Sequence, residues 1–186
     1  MPLVGVVLAG GLGRRLGAAK PGAALAGRPL VAYPVEALGA VCERVVVVAK
    51  ANTDLPPVDV ERWDEPDEPR HPIAGIVHAL KRAGTPILVC AADMPFATPD
   101  VLHRIADALQ PGANAAVAFS EGSLEPLLAS YAPAALEPLA RAPAGAPLRR
   151  TVEALAPVLI DVPPRVVFNV NTPADLAEAE RSISSR

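Results

Sequence analysis

Aromatic side chains are scarce in this chain, at 3% of residues, and cysteine is scarcer still, with only Cys42 and Cys90. Two cysteines cannot build a disulfide framework, and Cys90, inside an apolar run, reads as a buried reduced thiol. Although 51% of residues are hydrophobic, many of them are Ala and Val, and no apolar run reaches the roughly 18–20 residues of a membrane span. The first ten residues carry no basic n-region and no cleavage pattern, so nothing marks the chain for export and a cytoplasmic location is expected. A basic excess is missing as well: the net charge of −3 argues against a general nucleic-acid binder.

Acidic residues are absent from positions 1–35, where Arg14, Arg15, Lys20 and Arg28 stand among glycines. The reverse holds from Asp59 to Glu68, where Asp59, Glu61, Asp64, Glu65, Asp67 and Glu68 surround Arg62. A protein acidic overall that opens with a cationic, glycine-rich stretch points that stretch at an anion.

The length, 186 residues, suits one domain over residues 1–186. Val4 to Leu8 is a short β-branched run that reads as a buried strand feeding a glycine-rich loop, and Val45 to Val48 is the strongest strand signal. Val58–Val60 is a weaker strand, and Ile87–Cys90 is another apolar run. Helical spacing marks Pro29–Leu38, the segment from Pro72 through Leu80, and Pro99–Leu109. This strand–helix alternation predicts α/β architecture: a Rossmann-like three-layer domain with a mainly parallel sheet. Farther on, Ala115–Phe119 and Leu124–Tyr131 read as strands with antiparallel pairing. Helices are expected near Ala134–Arg141 and Leu148–Leu155, and strands at Pro157–Val162 and Val166–Val170. A closing helix runs from Pro173 to about Ile183, capped by Thr172.

Three constellations carry chemistry. The first is Leu8, Ala9, Gly10, Gly11, Leu12, Gly13, Arg14, Arg15, Leu16, Gly17, Ala18, Ala19 and Lys20. Its glycines let successive backbone N–H groups approach phosphate oxygens, and its cations supply the charge match. A dinucleotide fingerprint fails because Leu16 stands where a third glycine belongs, and a P-loop fails because Pro21 follows Lys20. The second is Asp93, with Met94 and Pro95, directly after a predicted strand, where ligands of parallel sheets bind and where one carboxylate suits Mg²⁺. The third is Asn169 and Asn171, alternate positions of a predicted strand, whose amide oxygens could complete a Mg²⁺ shell or bond a polar ligand.

Leu-Ala-Gly-Gly, Arg15, Leu16, Gly17 and Lys20, then Asp93-Met94-Pro95, then Asn169-Val-Asn171-Thr-Pro173 stand in an order that resembles the nucleotidyltransferase superfamily. The chain is most similar to the molybdenum cofactor guanylyltransferases, over nearly its whole length. Pro72-Ile73-Ala74-Gly75 is similar to their Pro-Leu-Ala-Gly segment, and Asp64 corresponds to an aspartate ahead of it. The resemblance implies a fold like the nucleotide-diphospho-sugar transferases, with the nucleotide held by the N-terminal half and the acceptor by the C-terminal half. It implies that Leu8, Ala9, Gly10, Gly11 and Gly13 approach the guanine nucleotide, that Arg15 and Lys20 hold its phosphates, and that Asp64 helps bind it. Asp93 would hold Mg²⁺ with Asn171 nearby, and Asn169 and Asn171 would face the acceptor. Three departures are visible: Ala19 where Asp is usual, His71 where Gly precedes Pro72, and Lys50 where the family often has Asn.

The implied reaction is transfer of GMP from GTP to molybdopterin or the molybdenum cofactor, releasing pyrophosphate. Transient contact with other cofactor-biosynthesis proteins is a further implication. Cytidylyl transfer to molybdopterin, transfer to another small phosphorylated acceptor, and a non-catalytic nucleotide-binding module are the alternatives.

Overall fold

The computed structural model describes residues 2–10, 23–143 and 145–184. Its strands are β1 (Val4–Leu8), β2 (Ala24–Leu25), β3 (Arg28–Pro29), β4 (Arg44–Lys50), β5 (Glu61–Glu65), β6 (Ile87–Ala91), β7 (Ala115–Ser120), β8 (Ser123–Tyr131) and β9 (Val158–Asp161). The helices are α1 (Ala32–Gly39), α2 (Pro72–Ala83), α3 (Pro99–Asp107), α4 (Leu136–Ala140), α5 (Leu148–Glu153) and α6 (Pro173–Ser184).

Seven strands form one sheet in the order β5-β4-β1-β6-β8-β7-β9. Only β8 runs against the others, pairing antiparallel with β6 and β7, while the remaining pairs are parallel. The central strands are near-continuous apolar runs, rich in Val, because helices cover both faces. Their side chains alternate between two cores. Val7, Val47 and Cys90 pack with Leu38 of α1 and Leu102 and Ile105 of α3. Val6, Val46, Val48 and Val89 pack with Ile76 and Leu80 of α2, Leu139 of α4 and Val152 of α5. The architecture is therefore the expected three-layer α/β arrangement.

The helix ends follow from local chemistry. The His71 imidazole Nδ1 accepts from the Ile73 N–H at 3.3 Å, with Pro72 in the first turn, and Gly84 closes α2 with φ 64°. At α6 the Asp175 N–H donates to Thr172 Oγ1, while the Asp175 carboxylate accepts from the Thr172 and Asn171 N–H groups. That reciprocal pattern is a capping box with Asp at the third position.

Four expectations from the pattern shift. The segment beginning at Pro29 is not yet helical: β2 and β3 form a hairpin whose turn residues Ala26 and Gly27 both have positive φ, and α1 starts at Ala32. The third parallel strand is not Val58–Val60 but β5, inside the acidic run, because Trp63 and Glu65 turn inward there. Val58 and Val60 instead pack at the margin of the α1–α3 core. Val166–Val170 is not a strand either. After Pro163 and Pro164 the chain turns, with the Val166 N–H donating to the Pro163 carbonyl and the Phe168 N–H to that of Arg165. The expected helix at Ala134–Arg141 begins as a 3₁₀ turn, Pro133–Ala135, before α4.

Candidate active site

The sheet order defines where a ligand fits. From β1 the chain moves outward to β4 and β5, then returns to β6 on the other side of β1. The crevice between the carboxyl ends of β1 and β6 is thus a topological switch point, the usual binding place in open α/β sheets. The two strands end level, Leu8 opposite Ala91.

Backbone hydrogen bonds stitch the three constellations together at this point. The Ala92 N–H donates to the Leu8 carbonyl at 3.0 Å, and the Ala9 N–H to the Val48 carbonyl at 2.9 Å. The Val170 N–H donates to the Asp93 carbonyl at 2.9 Å. Leu8, Ala9 and Gly10, the Asp93 turn and the Asn169–Asn171 segment therefore meet at one end of the sheet. Gly11, Gly13, Arg14, Arg15 and Lys20 lie outside the described residues.

The 165–171 segment is braced on the Asp93 side. Phe96 and Phe168 meet with ring centroids 6.0 Å apart, and the Arg165 guanidinium lies 4.5 Å from the Phe96 centroid. A small third core of Leu25, Leu30, Val170 and Ala179 ties the β2–β3 hairpin to α6. The chain that follows the glycine-rich stretch is thereby packed against the Asn-rich segment.

Because 166–170 is not a strand, the two Asn side chains do not share a face through strand alternation. Instead Asn169 Nδ2 donates to the Val167 carbonyl at 2.9 Å and Asn171 Nδ2 to the Asn169 carbonyl at 3.5 Å. An amide side chain offers both donors and an acceptor oxygen, and the oxygen is the group that suits a cation. Asp93 is half-buried. Among the described residues no group of three or more His, Cys, Asp or Glu could form a metal cage. One carboxylate with neutral oxygens nearby fits a hard cation that takes few protein ligands and keeps phosphates and water for the rest.

Asp64 stands opposite Ala49 in the register of β5 with β4, one residue before Glu65. Strand alternation sends it to the opposite face of β5 from Trp63 and Glu65; its side chain is 57% exposed and pairs with Arg62 at 2.7 Å. The carboxylate that reaches the glycine-rich end of β1 is Glu65. A Cβ added at Gly10 would fall 2.7 Å from Glu65 Oε1, and one at Gly75 would fall 3.3 Å from Oε2. Burial pushes the Glu65 carboxyl above its usual range, and Lys50 partly opposes this. The inward period Trp63–Glu65 was the sequence signal for it.

A second carboxylate missed by motif reading is Glu125 on β8, which binds Arg149 of α5 at 2.7 Å. Burial raises its pKa, Arg149 lowers it, and the charge of Asp93 adds a further rise. Cys90 and Cys42 are both buried and free. Burial pushes the Cys42 thiol up to about 11 and that of Cys90 higher still, so neither is a nucleophile at neutral pH.

A glycine-bearing strand end and the Asp93 turn, meeting at the switch point of a mainly parallel sheet, define a nucleotide-handling α/β protein. Residues 5–178 match the sequence model of the MobA-like NTP transferase domain, and the chain belongs to that family. A molybdenum cofactor guanylyltransferase of Bradyrhizobium sp. (strain ORS 278) is 32% identical over 95% of this chain and 91% of its own length. A probable molybdenum cofactor guanylyltransferase of Chloroflexus aggregans is 34% identical over 95% and 92%. Among solved structures, molybdopterin-guanine dinucleotide biosynthesis protein A from Archaeoglobus fulgidus superposes with a TM-score of 0.78 at 28% identity, covering 99% of this chain and 100% of that one.

Proposed function

We propose that this protein transfers GMP from GTP to molybdopterin or its molybdenum-loaded form, giving molybdopterin guanine dinucleotide and pyrophosphate. The observation that carries the reading is the convergence of the β1 end, the Asp93 turn and the Asn169–Asn171 segment, in a chain whose relatives are molybdenum cofactor guanylyltransferases.

An oxygen of the acceptor's terminal phosphate attacks the α-phosphorus of GTP. A new phosphorus–oxygen bond forms, the bond from the α-phosphorus to the bridging oxygen breaks, and its electron pair leaves with pyrophosphate. The attacking phosphate is already anionic, so the step needs no strong general base. The enzyme's task is to bring two mutually repelling anions together and to stabilise the leaving group. Leu8, Ala9, Gly10, Gly11 and Gly13 offer backbone groups to the nucleotide, Asp64 helps bind it, Arg15 and Lys20 neutralise its phosphates, and Asn169 and Asn171 orient the acceptor. Asp93, with Asn171 beside it, would hold Mg²⁺, which when bound supplies Lewis-acid stabilisation of phosphate charge. The N-terminal half thus serves the nucleotide and the C-terminal half the acceptor.

The protein's place is the cytoplasm; among the described residues no helix is long and apolar enough to cross a membrane. Thermal shift in Mg²⁺ is the first test. GTP should raise the melting temperature more than CTP or ATP, and equal shifts would remove the guanylyl assignment.

A further inference from the structure

Lys50 and Glu65 are nearly sealed from water, with side chains 5% and 6% exposed and Nζ 3.5 Å from Oε2. The ammonium has three protons, and the structure gives it three partners: the Pro66 carbonyl, the Pro69 carbonyl at 3.3 Å and Glu65. Among the described residues Glu65 Oε2 has no hydrogen-bond donor, and the Lys50 ammonium is the cation paired with it there.

A buried ion pair is weak evidence for stability, because desolvation offsets much of the attraction. This one is placed where position matters. Lys50 ends β4, the strand that receives the Ala9 N–H through Val48. Glu65 ends the neighbouring strand and fits between two glycines: Gly10, where β1 gives way to the glycine-rich stretch, and Gly75 in the first turns of α2, whose added Cβ would also sit 3.1 Å from Leu8 Cδ2. The two carbonyls held by Lys50 belong to the connection that leads from β5 into the His71 cap of α2. One ammonium therefore ties together the β5–α2 connection and the carboxylate lying against Gly10.

We propose that Lys50 and Glu65 are a positioning pair that holds Gly10, and with it the start of the nucleotide loop, in its binding place. Neither residue touches the reacting atoms. The inference rests on the nucleotidyltransferase reading of the site, but not on which base or acceptor is used. Lys50 also balances a carboxylate that would otherwise stand uncompensated beside a site built for a triphosphate.

The test is equilibrium binding of GTP, and of CTP in parallel, with Mg²⁺, to the full chain and to Lys50→Met and the double variant Lys50→Met/Glu65→Gln, with melting curves for each. The variants are compared on whichever triphosphate the wild type binds more tightly. Wild-type preference for CTP would correct the base assignment and leave the comparison intact. Lys50→Met should melt lower and bind at least about tenfold more weakly, the loss expected when a buried charge is left unpaired and Gly10 is no longer held. The double variant removes both charges and should recover most of the melting temperature. Its affinity should stay low, because the ties to the Pro66 and Pro69 carbonyls are still missing. Recovery of both melting temperature and affinity in the double variant would make the pair merely structural and overturn the proposal. Wild-type affinity in folded Lys50→Met would do the same.

Discussion

The Val170 N–H donates to the Asp93 carbonyl at 2.9 Å. These residues are far apart in sequence, and the bond fixes the distance between the turn that carries the carboxylate and the segment that carries both asparagines. The chemistry proposed for this protein depends on that closeness.

Asp93→Asn should keep the melting temperature within a few degrees, because the Asp93 carbonyl bond to Val170 is unchanged. Turnover should fall by at least about 10²-fold, the usual cost of losing one well-placed electrostatic contact. Raising the Mg²⁺ concentration should recover part of the lost rate. Near-wild-type turnover at ordinary Mg²⁺ would exclude a metal role for the carboxylate.

Gly10→Ala should weaken nucleotide binding, since the new methyl would lie 2.7 Å from Glu65 Oε1. Although that atom ends a flexible side chain, it is buried and ion-paired and has little room to retreat. An overpacked site of this kind costs about 1–3 kcal/mol. In a Glu65→Ala background the same substitution should be nearly neutral. Calorimetric melting of the four proteins in this cycle measures the coupling, and additive effects would show that the two groups do not meet.

Asp64→Ala should leave the melting temperature nearly unchanged. The side chain is exposed and its bond to Arg62 is a surface pair, worth no more than about 1 kcal/mol after solvent screening. The variant's KM for GTP should rise about tenfold, as for a lost binding contact; an unchanged KM would remove from Asp64 the nucleotide role that the resemblance implies.

His78 should make the fold sensitive to mild acid. Its pKa lies below the usual value, first because of burial and then because Arg82, Lys50 and Lys81 oppose its charge, with Asp64 acting weakly the other way. The unfolded chain then binds the proton more readily. The contribution of His78 is present above the unfolded value of about 6.5 and is lost as pH falls through and below it. Melting temperatures at pH 7.5 and 5.5 should therefore drop more in the wild type than in His78→Phe. Equal drops would remove His78 from the pH dependence.

The parallel core was legible because its strands are buried on both faces and so read as unbroken apolar runs, as in Val45–Val48 and Ile87–Cys90. Caps were legible where the chemistry is local, as at Thr172 and Pro72. The hairpin at Ala26–Gly27 was hidden because Ala is not a usual residue for positive φ. β5 was hidden because its charged residues disguise a period of two in which only Trp63 and Glu65 face inward. The same disguise concealed Glu65, the neighbour of Asp64. Asn169 and Asn171 were found by motif, but their local geometry was not, since Pro163 and Pro164 turn the chain before a strand can form. Glu125 and Arg149 carry no motif and become visible only when β8 is placed beside β6.

Turnover with molybdopterin as acceptor and either GTP or CTP as donor, followed by pyrophosphate release and by the dinucleotide formed, addresses guanylyl transfer most directly. The expected result is molybdopterin guanine dinucleotide and one pyrophosphate per transfer, with kcat/KM for GTP exceeding that for CTP by at least about 10²-fold, as for a site that hydrogen-bonds one base. Equal rates, or faster turnover of CTP, would contradict it.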